Sequence, residues 1–382
     1  MVNNLEWITD VRRDLHRIPE IAFDLPKTSL YIRNCLISLG YAPIQTAKSG
    51  WIAVKEGASR EAIAFRSDMD ALSVDEQTNA AFASSIEGHM HACGHDGHMS
   101  MLLGFAKEIA KMDLQKTIVL IFQPAEEGPG GAKLIIDEGL LDAYPIHAIF
   151  AIHLDPLLNE GKFGIVDGPM MAANGEFDLT IQGRSSHGAQ PHLGQDAILA
   201  SSALIQAYHT IVSRDIDPLS PGVVTIGTIN GGEARNIIPQ TVKLTGTFRS
   251  FETELYDKIK QRMRQIDQGI SIAYNVKVDN DIQDHYPPVN NDVKLAELAR
   301  KVLGPDAVLP KKPLMFAEDF AFYQQRYPGL MVMLGTRNEE LGYIHPLHSC
   351  YFNFREETLL QGVDYYLSMA ETLGALTLER SE

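Results

Sequence analysis

Cysteine is scarce: only Cys35, Cys93 and Cys350 occur in 382 residues. They are far apart and odd in number, so neither a disulfide framework nor a CxxC zinc motif can be built from them. That scarcity points to a reducing compartment, and a cytoplasmic protein is expected. No apolar run approaches the roughly 18 residues of a membrane span, and the opening stretch MVNNLEWITDVRRDLHRIPE has no apolar signal core. Basic residues are outnumbered, with 33 Lys and Arg against 49 Asp and Glu and a formal charge of −16. Such a surface repels nucleic acid phosphate and anionic lipid, which excludes both as expected partners. HExxH and GxSxG are missing, which excludes thermolysin-type and serine-elbow hydrolases. The glycine run Gly128-Pro129-Gly130-Gly131-Ala132-Lys133 lacks the GxxxxGK[ST] spacing of a phosphate loop. Repeats and low-complexity segments are absent. What is present is ordinary globular composition, 45% hydrophobic and 21% charged, in a chain long enough to favour two domains.

Short apolar runs alternate with helix-length amphipathic stretches, the pattern of an α/β fold. Ala62 to Arg66 reads as a strand ending at Ser67-Asp68-Met69-Asp70. Thr117 to Phe122 is a buried strand running into Gln123-Pro124-Ala125-Glu126-Glu127-Gly128, and Ala148 to Ile152 is a third, ending at His153. Between the first two, Asp96 to Lys111 reads as a helix. Ionisable residues thus fall at carboxyl ends of strands, where open α/β sheets bind ligands. From Asn174 the rhythm changes: a strand at Glu176 to Gln182, a helix from Gln195 to about Val212, strands at Val223 to Ile229 and Thr241 to Phe248, a helix from Glu252 to Gln268, and a strand SIAYNVKV. That β-α-β-β-α-β order predicts a ferredoxin-like domain, closed by Pro287-Pro288. The expected organisation is a mixed-sheet catalytic domain, residues 1–173 and 288–382, interrupted by a smaller inserted domain at 174–287.

The chemistry concentrates in His89-Met90-His91-Ala92-Cys93-Gly94-His95-Asp96-Gly97-His98. Four His, one Cys and one Asp in ten residues supply borderline-soft nitrogen and sulfur donors suited to zinc or a neighbouring transition metal. A surface His tract, or a polar helix start capped by Asp96, is the plainer alternative. Six such residues cannot all reach one ion, so some must orient the others. Glu126 and Glu127 are adjacent carboxylates at a strand end; one can bind a cation while the other moves a proton, although acids also suit a helix start. Asp68 and Asp70 could orient a ligand or be turn acids. With His153 and His348, the donors Cys93, His95, Glu127, His153 and His348 number five, which suits two cations sharing a bridging ligand better than one. In the inserted segment, His187 and Asn236 could polarise a carbonyl or hold a carboxylate, and Arg249 could fork onto a carboxylate; the plainer reading is turn residues of a small domain.

The motifs RRDLHRIPE, RSDMDAL, MHACGHDGH, FQPAEEGPGGA, SSHGAQPH, NIIP, GTFRS, AEDFAFY and HPLHS together resemble the aminoacylase/carboxypeptidase superfamily of dimetal amidohydrolases. The resemblance runs nearly end to end and is strongest to the branch of hippurate hydrolases, indole-acetyl-amino-acid hydrolases and N-acetyldiaminopimelate deacetylases. It implies that Cys93 bridges two cations, that Glu127 and His348 complete one site, and that His95 and His153 complete the other. It implies Glu126 as general base and acid, and His187 and Asn236 as substrate contacts from a lid that in many relatives also dimerises; Asp68 and Asp70 as supporting carboxylates and Arg249 as a substrate contact are expected from the residues themselves. The implied cofactors are two divalent ions, Zn2+ or Mn2+ with Co2+ or Ni2+ also suited. The implied reaction is hydrolysis of an N-acyl-L-amino acid, with N-acetyldiaminopimelate deacetylation or dipeptide hydrolysis as alternatives. Cys350 stands where that branch usually has Pro, Ser185-Ser186 where it often has Gly-Gly or Gly-Ser, and Gln240 where Asp is common.

Overall fold

The alternation of apolar and amphipathic stretches resolves, in a computed structural model that describes residues 4–378, into two compact units. One comprises the chain up to Gly168, Asn290–Pro313 and the chain from Glu318; the other comprises Pro169–Val289 and Leu314–Ala317. The divisions lie a few residues outside the 174 and 287 expected from sequence, and the short stretch 314–317 is counted with the second unit.

The first unit is built on a mixed eight-stranded sheet in the order Ile44–Thr46, Gly50–Lys55, Leu114–Gln123, Gly57–Asp68, Ile146–Asn159, Gly329–Arg337, Phe163–Ile165, Val308–Pro310. Its four central strands run parallel, so their carboxyl ends share one edge. Register brings the chemistry level: Asp68 pairs with Gln123, and Arg66 pairs with Ala151, two residues before His153. The central strands are apolar on both faces: Phe65, Leu120 and Phe150 are fully buried on one side and Val119, Ile121 and Ile149 on the other, each such side chain contributing about 1.5–3 kcal/mol. The helix His95–Ile109 lies in this core and packs against the helices Leu5–His16 and Thr358–Thr372. Gly104 permits that packing, because a Cβ there would sit 2.8 Å from Ile8 Cδ1 and 2.9 Å from Val363 Cγ2.

One expectation fails in this unit. His153 is not at a strand end but inside the fourteen-residue strand Ile146–Asn159. The strand outlasts its apolar run because Gly329–Arg337 continues to pair with it as far as Asn159.

The second unit has a four-stranded antiparallel sheet in the order Gly222–Gly231, Thr241–Ser250, Ala173–Gln182, Lys277–Asp284. Burial alternates along Ala173–Gln182, so one face of that strand meets the core. Phe177, Leu179, Val242, Leu244 and Phe248 from the sheet share a core with Leu204, Tyr208, Ile259 and Met263 from the helices Ala197–Thr210 and Thr253–Tyr274. Here too the sequence misleads. The SIAY segment is the last turn of the long helix rather than a strand, and the helix stops at Asn275, left-handed at φ 53°. The strand begins only at Lys277. The apolar spacing of Ile259, Met263, Ile266 and Ile270 carries the helix on through Ser271–Tyr274.

Candidate metal centre

The cluster sits where the loop after Met90 enters the helix His95–Ile109. Gly94 makes that entry, at φ +86°, a left-handed conformation that glycine adopts without penalty. Asp96 does not cap the helix; its carboxylate turns away from the first turn's amides to Arg12 and His16. Cys93, His95 and His153 place Sγ and ring nitrogens within 4.8 Å of one another, and so do Cys93, Glu127 and His348 with their donor atoms. Cys93 belongs to both groups. Its Sγ is 3.5 Å from His153 Nε2, and His348 Nε2 is 3.2 Å from Glu127 Oε1.

The rings are aimed from behind. His95 Nδ1 is 2.8 Å from the Asp70 carbonyl, and His153 Nδ1 is 2.7 Å from the Leu154 carbonyl. Each nitrogen must therefore carry the proton, which leaves Nε2 as the free lone pair. His98 is not a ligand of this kind. It accepts from the Leu154 amide at Nε2 (2.9 Å), which makes Nδ1 the donor to Asp68 Oδ1 (2.7 Å). Asp70 accepts the amides of Glu126 and Glu127 on its two carboxylate oxygens, at 2.9 and 3.1 Å.

A second buried network, missed from sequence, stands beside the first. Arg66 donates from Nε to Gln123 and from its two terminal nitrogens to Asp68 and Asp319, at 2.9–3.0 Å, and also pairs with Glu318 at 3.0 Å. Gln123 donates to Asp319, which also accepts the Ala132 amide. The only signal available was the acid pair in AEDFAFY and the buried Arg in RSDMDAL, separated by some 250 residues.

The site is electronegative. Burial pushes the Glu126 carboxyl well above its usual range, and Glu318, Glu127, Asp319 and Asp68 add to that. Burial also raises Asp68, but His95, His98 and Arg66 overcome it and hold that carboxyl well below normal. His95 is lowered by burial yet driven up to about 10 by Asp68, Asp70 and Glu127. The carboxylates, in other words, demand a positive charge at His95. The Cys93 thiol is pushed well up by burial and by Glu127, Glu126 and Asp68. A divalent cation inverts that logic, favouring thiolate and neutral imidazole.

The donor set fits a pair of such cations. His95 Nε2 is buried and has no hydrogen-bond partner, the carboxylates of Asp68, Glu126 and Glu127 lying 3.7–4.0 Å away. An orphaned buried nitrogen costs about 1–3 kcal/mol unless something binds it.

The remaining expected residues lie in the second unit. His187 and Asn236 are brought together there: His187 pairs with Ile237 on a short ribbon, and the Gly188 amide donates to the Asn236 carbonyl at 2.8 Å. Both side chains are exposed. The Ala189 amide donates to His187 Nδ1 (3.0 Å), leaving Nε2 as the donor of the neutral ring. Arg249 does not join them; it is half-buried and donates to Thr247 Oγ1 at 2.7 Å.

Residues 64–372 match the model of peptidase family M20/M25/M40. The chain is 37% identical to IAA-amino acid hydrolase ILR1-like 4 of Arabidopsis thaliana, over 98% of this chain and 88% of that one. It is 36% identical to N-acetyldiaminopimelate deacetylase of Bacillus subtilis, over 93% and 95% respectively. A crystal structure of a Bacillus subtilis dinuclear metal-binding peptidase from the M20 family superposes with a TM-score of 0.84 at 31% identity, over 97% of this chain and 98% of that one. Among the described residues, no helix is long and apolar enough to cross a membrane. The chain belongs to peptidase family M20/M25/M40 and is an amide-bond hydrolase of that family.

Proposed function

We propose that the protein hydrolyses the amide bond of N-acyl-L-amino acids at a centre of two divalent cations, releasing a carboxylic acid and a free amino acid. The observation that carries this reading is the pair of donor groups that meet at Cys93, with Glu126 beside them and outside both. Cys93, His95 and His153 would hold one cation, and Cys93, Glu127 and His348 the other. The thiolate and imidazoles favour Zn2+, while the carboxylate also suits Mn2+, Co2+ or Ni2+. Bound there, the cations would supply Lewis acidity toward the carbonyl and the attacking water.

Glu126 takes the water's proton as it attacks and returns it to the leaving nitrogen. Asp70 fixes Glu126 through its amide, and Asp68 keeps His98 and the His95 side of the site in register. His187 and Asn236 contact the carbonyl or carboxylate of the substrate; Arg249, which stands apart from them, would have to fork onto a carboxylate from its own place on the strand Thr241–Ser250. The second unit, whose strand order we read as ferredoxin-like, serves as the lid and as a dimerisation surface, and the protein works in the cytoplasm. N-acetyldiaminopimelate is the alternative substrate, supported by the N-acetyldiaminopimelate deacetylase of Bacillus subtilis that aligns over 93% of this chain.

The test is Glu126→Gln in cation-loaded protein, assayed on acetyl-, benzoyl- and dipeptidyl-amino acids. A fall of about 10²–10⁴ in kcat with cations retained is expected. Hydrolysis at the wild-type rate would remove Glu126 as the base, and full activity after exhaustive chelation would remove the whole reading. Preference for dipeptides would transfer the protein to the dipeptidase alternative.

A further inference from the structure

The three histidines assigned above to cations are not equally secured. His95 and His153 lie on a helix start and a central strand, each with Nδ1 against a backbone carbonyl. His348 sits in a loop, at a left-handed φ of 64°, with a side chain 54% exposed. Its backbone amide reaches the Ala92 carbonyl at 2.8 Å, next to Cys93. Beyond that bond, Phe352 and Phe354 pack against Gly94 and Gly97, and a buried polar side chain far away in sequence adds directional bonds to both segments.

Arg12, on the helix Leu5–His16, is 1% exposed. Its Nε donates to Asp96 Oδ2 at 2.9 Å, immediately after His95 in the chain. One terminal nitrogen donates to Asn353 Oδ1 at 2.8 Å, and the other reaches Glu356 Oε1 at 3.4 Å, both shortly after His348. Phe82 and Phe354 cover the guanidinium, with ring centroids 4.6 and 4.3 Å from Cζ. His16 Nδ1 also meets Asp96 Oδ2, at 2.7 Å, so the helix grips the same carboxylate twice. One planar fork thus joins the segment that carries Cys93 and His95 to the segment that follows His348. A lysine, a point charge on a flexible stem, cannot reach all three acceptors at once.

We propose that Arg12 is a positioning residue for the Cys93–Glu127–His348 cation site: it holds the His348 loop in register with Cys93, and its loss weakens that site while sparing the one at Cys93, His95 and His153. The inference rests on the two-cation reading given above. Outer partners of metal ligands commonly change affinity by about 10- to 100-fold, and that size of effect is expected at one site of the two.

Full-length wild type, Arg12→Lys and Asn353→Ala are loaded with Zn2+ and titrated against a chromophoric chelator, with far-ultraviolet circular dichroism as the check on folding. Wild type should hold two Zn2+ per chain. Each variant should keep one at wild-type affinity and bind the second about 10- to 100-fold more weakly. With Co2+ in place of Zn2+, the thiolate-to-cobalt absorption from Cys93 should persist in the variants, because Cys93 still serves the retained ion. If Arg12→Lys fails to fold, Asn353→Ala, which leaves the buried charge in place, decides the matter. Two tightly held ions in the folded variants, or equal weakening of both, would overturn the role of Arg12. Fewer than two ions in wild type would overturn the underlying two-cation reading instead.

Discussion

Asp68, His95, Glu126 and His153 in the first unit are between 0 and 6% exposed and each is tied to at least one other side chain or backbone group, whereas His187 and Asn236 in the second stand exposed on a short ribbon. The contrast is the one that the roles proposed above would require. A donor that must present one lone pair to a cation has its tautomer and direction fixed in advance, and burial makes those fixing bonds strong. A group that touches only a substrate must be reachable. Ser185 and Gln240, two of the positions that depart from the branch's usual residues, are exposed in the same unit. On the proposed roles, rigidity is concentrated at His95 and His153, while His348, at 54% exposed, is the donor held least firmly.

Four experiments press on this contrast. The largest effect is expected from Cys93→Ser, because Cys93 belongs to both donor groups: cation content should fall at both sites and hydrolysis should drop to background, as metal analysis with an activity assay would read. Retention of two ions at wild-type affinity would show that Cys93 is not shared. Next, Arg66→Met leaves Asp68, Glu318 and Asp319 buried without their common cation, at a cost of about 3–5 kcal/mol. Both tryptophans, Trp7 and Trp51, lie in the first unit, so denaturant unfolding followed by tryptophan fluorescence reports on that unit directly. A midpoint equal to wild type would deny the network its structural role.

For the second unit the expectation is different in kind. His187→Ala or Asn236→Ala should lower kcat/KM by about 10²–10³ if the group stabilises developing charge, with cation content and the tryptophan-monitored transition unchanged. Loss of metal in these variants would break the distinction between the units. The smallest effect concerns acid. Burial raises the Glu76 carboxyl, but His16, Thr78 and the Ser84 amide outweigh it and hold it down at about 2. Because this folded-state value lies below the ordinary 4.5, its stabilisation is complete above pH 4.5 and disappears as pH falls toward 2. Glu76→Gln should therefore flatten the acid limb of stability in that window, by about 1–2 kcal/mol. Identical acid titrations of variant and wild type would contradict it.

The candidate donors that the fold brings together are legible in the sequence because metal chemistry needs particular atoms: Cys93 and His95 share one short run, and Glu126 and Glu127 are adjacent. The strand–helix rhythm was legible for the same local reason. The supporting network was not. Arg66 meets Asp319 across 253 positions and Arg12 meets Asn353 across 341, and nothing in local spacing announces which buried arginine will find which acid. His153 looked like a strand end because its apolar run stops there, while the pairing partner that extends the strand lies far along the chain. The SIAY stretch reads as extended on local β-propensity alone, and the packing of the long helix overrides that preference.

Asp70 has a consequence for anyone who would move this chemistry elsewhere. Its carbonyl holds His95, one carboxylate oxygen holds the amide of Glu126, and the other holds the amide of Glu127. A single residue is therefore the common datum for one histidine donor, one carboxylate donor and the candidate base. All three are referred to one residue just past the strand Gly57–Asp68. A transplanted version of the site would need this aspartate and its strand before it needed any of the groups that do the work.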